Sequence, residues 1–327
     1  MRVLVTGANG CVGSHIVRVL LQQGHEVRAL VRPSAQRASL EGLPVKQVEG
    51  DITRPETLTS AVAGCAEVYH TAACLATWQG ARETLFRVNV EGTRHVIQAC
   101  RKAGVSKLIY TSTAATLGYS VDPADALDEQ SSAYFDPQQL PYQASKQEAE
   151  GLIREAAAQG LWSVIVAPTL IFGAWERSDH GKNLLRLAKR GRLLAYPSGG
   201  TAAVCAEDVA LAHVRAARMG QAGEKYLVSG ENLPYRDLFR LINRVVGRRG
   251  PFVPLPDPLL KPVMKANEQL ARVTGRSPLL QQSRFESLTR YLYVSDHKAR
   301  QELDHEPHLV EHGVRALADW MTATEQW

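Results

Sequence analysis

Three glycines near the N-terminus restrict the possible folds of this chain. Gly7, Gly10 and Gly13 follow a short apolar run at residues 2–5 and precede an apolar-periodic segment, a pattern that predicts strand, tight turn and helix. The first glycine allows the turn, the second lets a ligand approach the backbone, and the third lets the helix pack on the strand. Because the N-terminus of such a helix attracts anions, the sequence predicts a binding site for a pair of phosphate groups.

Strand and helix patterns alternate through the first half of the chain. We predict strands at 2–5, 27–31, 45–48, 68–70, 107–110, 163–166 and 225–228, and helices near 12–23, 55–63, 83–103 and 142–158. This rhythm is typical of an α/β Rossmann fold, a doubly wound parallel sheet of about seven strands. After about residue 233 the pattern is mainly helical, near 235–247, 257–274, 296–303 and 310–324. We predict a cofactor domain of 1–165 plus about 200–230, and a smaller, mainly helical substrate lid from 166–200 and 231–327.

Size and composition favour a globular enzyme. The chain has 327 residues, of which 45% are hydrophobic and 22% charged, enough for a large core. Its five cysteines form no C-x-x-C pair, which favours a reducing compartment, so we expect a cytoplasmic protein. The net charge of +5 is explained by solvated helix faces near an anionic ligand. We expect no nucleic-acid partner, no metal and, because no apolar run approaches a membrane span, no membrane partner.

A tyrosine and a lysine stand four residues apart in a predicted helix. Tyr142 and Lys146 therefore share one helix face, about one turn apart. An ammonium beside a phenol favours the phenolate, so we expect the Tyr142 pKa to lie below its usual value of about 10, which suits proton transfer near neutral pH. The alternative is an exposed pair at a helix start after Pro141.

Together with the glycine turn, this pair resembles the extended short-chain dehydrogenase/reductase superfamily, which includes the NAD-dependent epimerases and dehydratases. The segments His70-Thr71-Ala72-Ala73 and Asn89-Val90-Glu91-Gly92-Thr93 match further parts of the family pattern. Within the family the chain is most similar to dihydroflavonol-4-reductase-like proteins, including those labelled hopanoid-associated sugar epimerases. The resemblance covers nearly the whole chain.

The resemblance implies roles for individual residues. Tyr142 exchanges the substrate proton, and Lys146 tunes Tyr142 and holds the nicotinamide ribose. Thr113 replaces the catalytic serine, with Ser112 as the neighbouring alternative, and Asn89 acts through a water relay to Lys146. The implied cofactor contacts are Gly7, Asn9, Gly10, Cys11, Val12, Gly13, Arg32, Arg37, Asp51, Ile52, Thr71, Ala72, Ala73, Thr111, Tyr142, Lys146 and Pro168.

The end of the second strand favours a phosphorylated cofactor. NAD-specific Rossmann proteins place an acid there to bind the ribose hydroxyls, whereas this chain has Val31 followed by Arg32, with Arg37 nearby. A guanidinium attracts the 2′-phosphate that a carboxylate would repel. We therefore expect NADP(H) to be preferred, with NAD(H) possible.

Three aromatic residues are candidates for the substrate pocket. Trp78, Tyr119 and Trp175 lie beyond strands whose carboxyl ends bind ligands in such sheets, although tryptophan at such positions also commonly serves packing. Ala167 and the Cys205 region stand where nucleotide-sugar enzymes usually carry Arg and His. We expect hydride transfer between nicotinamide and the carbonyl or alcohol of a partly apolar small molecule.

Two alternatives remain open: an NAD-dependent nucleotide-sugar epimerase or dehydratase, and a non-catalytic dinucleotide-binding protein. Net redox turnover with free cofactor would favour the reductase, whereas a cofactor that co-purifies without net oxidation would favour the epimerase or dehydratase. The intact pair of Tyr142 and Lys146 argues against the non-catalytic alternative. The resemblance also implies a homodimer that pairs the helices near 83–103 and 142–158.

Overall fold

The computed structural model describes residues 1–75, 81–131, 135–176, 179–249, 251–274 and 285–327. The strands are β1 (Arg2–Thr6), β2 (Glu26–Val31), β3 (Lys46–Glu49), β4 (Glu67–His70), β5 (Lys107–Thr111), β6 (Ser163–Pro168), β7 (Leu170–Phe172), β8 (Ala195–Tyr196), β9 (Gly200–Cys205), β10 (Lys225–Val228), β11 (Glu231–Pro234), β12 (Val253–Pro254) and β13 (Tyr291–Leu292). The helices are α1 (Cys11–Gln22), α2 (Leu58–Val62), α3 (Ala81–Phe86), α4 (Gly92–Ala103), α5 (Pro141–Ala158), α6 (Asp179–Lys189), α7 (Ala206–Met219), α8 (Tyr235–Val245), α9 (Asp257–Thr274), α10 (Phe285–Thr289), α11 (His297–Leu303) and α12 (Val310–Ala323).

A seven-stranded parallel sheet forms the centre of the molecule, in the order β10-β6-β5-β4-β1-β2-β3. Its central strands are runs of Val, Ile and Leu because helices cover both faces, and every residue of β6 is buried. One core cluster lies beneath α1 and α7, and the other lies beneath α2, α4 and α5. The predicted Rossmann sheet of about seven strands is confirmed.

The second region combines helices with small sheets. Strands β11, β9 and β13 pair in that order, β7 also pairs with β9, and β8 pairs with β12. A third apolar cluster joins α6, α8 and α12 to this sheet. None of these small strands was predicted from the sequence, which instead suggested a mainly helical region. No described helix combines the length and apolar character needed to cross a membrane.

Candidate active site

The glycine turn has the close contacts that require glycine. Gly7 has φ +66°, and a Cβ there would lie 2.7 Å from the backbone nitrogen of Ala72. A Cβ at Gly13 would lie 2.3 Å from the carbonyl oxygen of Gly7, so α1 packs directly on the turn. The N-cap residue Gly10 provides no side-chain cap, and the first turn of α1 carries no acid. The resulting cradle of N–H groups fits the paired phosphates of a dinucleotide.

The predicted cofactor-binding residues gather at one edge of the sheet. Because the seven strands are parallel, their carboxyl ends meet there. The residues are Gly7, Asn9, Gly10, Cys11, Val12 and Gly13 after β1, Arg32 and Arg37 after β2, Asp51 and Ile52 after β3, Thr71, Ala72 and Ala73 after β4, Thr111 at the end of β5 and Pro168 at the end of β6.

The segment after β2 folds over the glycine turn. The Asn9 side chain donates to the Gln36 carbonyl at 2.9 Å, and the Ser39 hydroxyl donates to the Asn9 carbonyl at 3.0 Å. Arg32 is exposed, whereas Arg37 forms an ion pair with Glu49 at 2.5 Å. Since Glu49 already neutralises Arg37, Arg32 carries the stronger case for a cofactor phosphate.

Asp51 and Ile52 shape the turn after β3. One carboxylate oxygen of Asp51 accepts hydrogen bonds from the backbone N–H and the hydroxyl of Thr53, both at 2.8 Å. This Asx turn engages the Asp51 carboxylate with its own backbone, and so competes with the cofactor contact that the resemblance implies for Asp51. The Ile52 side chain is buried against Gly92, where a Cβ would lie 2.7 Å from its Cδ1 atom.

Helix α5 presents Tyr142, Lys146 and Glu150 at successive turns of one face. Lys146 is 2% exposed, its Nζ donates to the Thr111 carbonyl at 2.7 Å, and it lies 4.3 Å from the centre of the Tyr110 ring. Burial lowers the pKa of Lys146 to about 7.

The pKa of Tyr142 differs from the sequence-based expectation. Burial raises it above the usual range, and the nearby Cys74 thiol adds to that effect. The expectation considered only the i, i+4 ammonium. In the fold, loss of hydration disfavours the phenolate more strongly, and the ammonium donates to a backbone carbonyl. Tyr142 is therefore a neutral phenol at neutral pH in the ligand-free chain.

Two adjacent hydroxyls after β5 have different surroundings. Ser112 is 4% exposed, and its hydroxyl donates to Glu150 Oε1 at 2.5 Å. Thr113 is half-buried at the start of a short 3₁₀ turn, where its Oγ1 accepts a long 3.3 Å bond from the Ala115 N–H. Ser112 therefore already donates its hydroxyl proton to Glu150, and Thr113 is the better placed of the two candidates for the catalytic hydroxyl.

Glu150 is the centre of a charged network that is buried except for Arg154. It forms an ion pair with Lys225 of β10 at 2.9 Å, and both side chains are at most 6% exposed. It also accepts from Thr116 at 3.1 Å and from Arg154 at 3.3 Å. We call Ser112, Thr116, Glu150, Lys225 and Arg154 the Glu150 network; it joins the middle of α5 to the edge strand of the sheet.

Asn89 joins the loop after β4 to α5. It lies in a π-helical turn at Arg87–Glu91 between α3 and α4 and is 1% exposed. Its Oδ1 accepts from the Cys74 N–H at 2.7 Å, and its Nδ2 donates to the Cys74 carbonyl at 3.1 Å and to the Ser145 hydroxyl at 2.9 Å. Ser145 donates in turn to the Tyr142 carbonyl at 2.8 Å, so Asn89 helps to fix the start of α5.

The same bonds continue to the glycine turn. Thr93 donates to the Asn89 carbonyl at 2.6 Å, and the two ring nitrogens of His70 lie 3.0 Å from Thr93 Oγ1 and 2.8 Å from Thr6 Oγ1. Burial, and secondarily Lys146, lowers the pKa of His70 to about 3. The neutral ring therefore donates from Nε2 to Thr93 and accepts at Nδ1 from Thr6. We call Thr6, His70, Thr93, Asn89 and Ser145 the His70 chain.

The aromatic candidates occupy different places. Trp175 lies between two side chains, 5.2 Å from the Arg18 guanidinium and 5.9 Å from the Trp320 ring, so it packs α1 against α12. Tyr119 is half-buried against an apolar cluster. Trp78 lies outside the described residues.

Sequence reasoning missed several residues that support the site. His213 of α7 accepts from the Thr111 hydroxyl at 2.8 Å, beside the carbonyl that holds Lys146. Glu150 follows Lys146 by four residues, and this spacing could have placed it on the catalytic face. Lys225 carries no comparable local signal, since its partner lies 75 residues away.

Comparisons with known proteins show the family of the chain. Residues 3–229 match the family model described as the NAD dependent epimerase/dehydratase family. The chain is 34% identical to sterol demethylase protein B of Methylococcus capsulatus over 83% of either chain. It is 31% identical to 2-alkyl-3-oxoalkanoate reductase of Stenotrophomonas maltophilia over 97% of this chain and 98% of the relative.

A solved structure, the dTDP-glucose 4,6-dehydratase DesIV of Streptomyces venezuelae with NAD and TYD bound, shares the fold. Its TM-score is 0.80 at 22% identity, over 100% of this chain and 98% of the other. The chain therefore belongs to the NAD-dependent epimerase/dehydratase family and is an oxidoreductase of the extended short-chain dehydrogenase/reductase type.

Proposed function

We propose that this protein is an NADP(H)-dependent reductase of a carbonyl group in a partly apolar small molecule. The observation that carries the proposal is the 2.7 Å bond from Lys146 Nζ to the Thr111 carbonyl. It fixes α5 against the end of β5, so that Tyr142 lies one turn before Lys146 and Thr113 two residues beyond its acceptor. This bond therefore ties Tyr142 and Thr113, the two groups proposed to act on the substrate oxygen, to the same two elements that hold Lys146.

The chain's own residues handle the proton. In this proposal Thr113 donates a hydrogen bond to the substrate carbonyl, and the neutral Tyr142 phenol donates the proton as that oxygen gains charge. A phenol kept neutral by burial is the form that reduction requires. Lys146 would hold the nicotinamide ribose and favour the resulting phenolate. The bound cofactor supplies the hydride.

Two buried positions favour a reductase over a nucleotide-sugar epimerase. Ala167, which stands where those enzymes usually carry Arg, is fully buried. Cys205, in the region where they usually carry His, is also buried and donates from its thiol to the Leu309 carbonyl. Neither provides the cation that a sugar diphosphate favours. The names of these two relatives suggest 2-alkyl-3-oxoalkanoates and sterols as compounds to test.

We further propose that Arg32 selects the 2′-phosphate. It is exposed at the end of β2, and Val31 stands where an NAD-specific protein would have an acid. We also propose a homodimer that pairs the helices near 83–103 and 142–158; on α5, Glu148, Gly151 and Glu155 are exposed.

Cofactor titration combined with an assay of NADPH oxidation tests the proposal. We expect NADP(H) to bind roughly ten- to hundredfold more tightly than NAD(H), the effect of one charge-assisted pair. Arg32→Ala should remove that preference, whereas Lys102→Ala, an exposed cation at the end of α4, should retain it. Equal affinity for the two cofactors would refute the NADP assignment. Tightly retained NAD with sugar-nucleotide isomerisation and no net oxidation would refute the reductase.

A further inference from the structure

A strongly basic surface forms where α6 and α8 end. Residues 189–194 and 240–254 contain no Asp or Glu, and their seven cations exceed the net charge of +5 of the whole chain. These cations are Lys189, Arg190, Arg192, Arg240, Arg244, Arg248 and Arg249, all of them exposed. We call them the basic surface. Such a concentration of one sign gives this side of the molecule a field that attracts anions.

Direct hydrogen bonds bring the two segments together. The Arg248 side chain donates to the Lys189 carbonyl at 2.9 Å, and the Asn243 side chain donates to the Leu193 carbonyl at 3.1 Å. Two separate sequence clusters thus become one surface. An open depression of about 650 Å³ lies within it, lined by Arg240, Asn243, Arg244, Gly247, Arg248, Arg249 and Phe252.

Acidic neighbours neutralise this surface weakly. Arg240 lies 3.7 Å from Asp237, and Arg244 lies 3.8 Å from Glu311, with both arginines more than half exposed. Long, solvated pairs of this kind contribute little and leave most of the positive field in place. The cations of this surface lie at the ends of α6 and α8, whereas the glycine turn lies between β1 and α1.

Two exposed apolar side chains adjoin the cations, and four more follow along the chain in α9. Leu194 is 45% exposed and Val253 is 53% exposed, and the Val253 N–H donates to the Leu194 carbonyl at 3.0 Å, so the two residues are neighbours across β8 and β12. Helix α9 begins three residues after β12. It exposes four more large apolar side chains, at helical spacing that places them on one face: Leu259, Val263, Leu270 and Val273.

We propose that this surface binds the anionic face of a lipid bilayer. Arginines attract acidic headgroups, and exposed aliphatic side chains gain free energy by entering the boundary with the acyl chains. A nucleic acid would match the charge but would leave the aliphatic side chains in water. The one aromatic residue of the depression, Phe252, is stacked on Tyr196 at 5.0 Å and so is engaged within the protein. The sequence predicts no membrane partner because no segment spans a bilayer, but peripheral binding requires no such segment.

Flotation of the whole protein with lipid vesicles tests the proposal. Vesicles containing about one third phosphatidylglycerol should capture the protein at about 50 mM salt, pure phosphatidylcholine vesicles should not, and about 500 mM salt should release it. Reversal of two charges, Arg248→Glu with Arg249→Glu, should weaken partitioning at least tenfold, an order-of-magnitude expectation for surface charges. Lys102→Glu, a single charge reversal at the exposed end of α4, should leave partitioning unchanged.

Further variants separate the bilayer from other anions. Leu194→Ser should weaken vesicle binding while unchanged melting and NADPH binding show that the fold is intact. Inorganic phosphate at millimolar concentration should not release the protein from vesicles. Failure to float with anionic vesicles, or equal loss in Lys102→Glu and the double arginine variant, would overturn the proposal. So would tighter binding to a short DNA duplex than to anionic vesicles, which would assign the surface to nucleic acid.

Discussion

Two buried polar networks fix the catalytic helix α5, and they differ in charge. The His70 chain is neutral and joins the start of α5, through Asn89, to the glycine turn. The Glu150 network contains a buried ion pair and joins the middle of the helix to the edge strand β10. In the neutral chain every donor has one assigned acceptor, so removal of a link leaves an unpaired dipole. In the charged network, removal of a partner leaves a buried ion, which costs more.

The largest expected effect follows from breaking the ion pair. Glu150→Ala leaves the Lys225 ammonium at 6% exposure without its carboxylate, and we expect a loss of about 3–5 kcal/mol in the free energy of unfolding. Urea denaturation at pH 7 measures this. The paired change Glu150→Leu with Lys225→Met removes both charges and should recover most of the loss. If Glu150→Ala alone lowered the free energy of unfolding by less than about 1 kcal/mol, the ion pair would not be desolvated as described.

Loss of Asn89 should have the next largest effect. Asn89→Ala leaves the Cys74 N–H and carbonyl and the Ser145 hydroxyl without their partner, and we expect a loss of about 2–3 kcal/mol. Asn89→Asp retains the acceptor for the Cys74 N–H but places a buried carboxylate oxygen against the Cys74 carbonyl, so its loss should be at least as large. The same denaturation series compares the variants. Equal stability of wild type and Asn89→Ala would contradict the connecting role of this side chain.

Acid pH should weaken the fold through its buried neutral histidines. Burial lowers the pKa of His70 to about 3 and that of His213 to about 4, from an ordinary 6.5. The unfolded chain therefore binds more protons below pH 6.5. The stabilisation is complete above pH 6.5 and is lost as pH falls toward 4 and then 3, at about 1.4 kcal/mol per pH unit for each histidine.

Denaturation at several pH values between 7 and 4.5 measures this slope. His213→Gln should reduce the pH dependence of the free energy of unfolding by the contribution of one histidine, because the variant no longer takes up that proton on unfolding. An unchanged slope in the variant would show that His213 is protonated in the folded protein.

The smallest expected effect comes from two variants of Thr93, which distinguish the contribution of its hydroxyl from that of its methyl group. Thr93→Ser retains the links to His70 and Asn89 and should cost no more than about 1 kcal/mol, the value of one buried methyl group. Thr93→Val retains the shape but removes the hydroxyl, and should cost about 1–2 kcal/mol more. Thermal melts at matched concentration compare the two. If Thr93→Ser were less stable than Thr93→Val, the hydrogen-bond assignment would be contradicted.

Local patterns predicted the first region well. The glycine turn, the strand runs of the large sheet and the helix that carries Tyr142 and Lys146 all have signals within a few residues, since each rests on turn geometry or hydrophobic period. The second region was harder to predict. β7 has three residues, β11 includes Pro234, and β9 is a wholly buried run of small residues without alternation.

The supporting contacts of the site depend on distant parts of the chain. Thr6 and His70 are 64 residues apart, and Thr111 and His213 are 102 apart, so neither contact has a local signature. The Tyr142 pKa shows the same limit: the neighbouring ammonium is visible in the sequence, whereas burial arises only when α5 packs on the sheet. For the same reason, the sequence could not show that residues 189–194 and 240–254 form one basic surface.

Turnover of Tyr142→Phe tests the central claim, that this phenol carries the substrate proton, most directly. With NADPH and a ketone that the wild-type protein reduces, we predict a fall in kcat of roughly 10²–10⁴-fold. NADPH affinity and melting temperature should remain those of the wild type, because the Lys146–Thr111 bond and the His70 chain do not use the Tyr142 hydroxyl. Near wild-type turnover in a folded, NADPH-binding Tyr142→Phe variant would contradict the account.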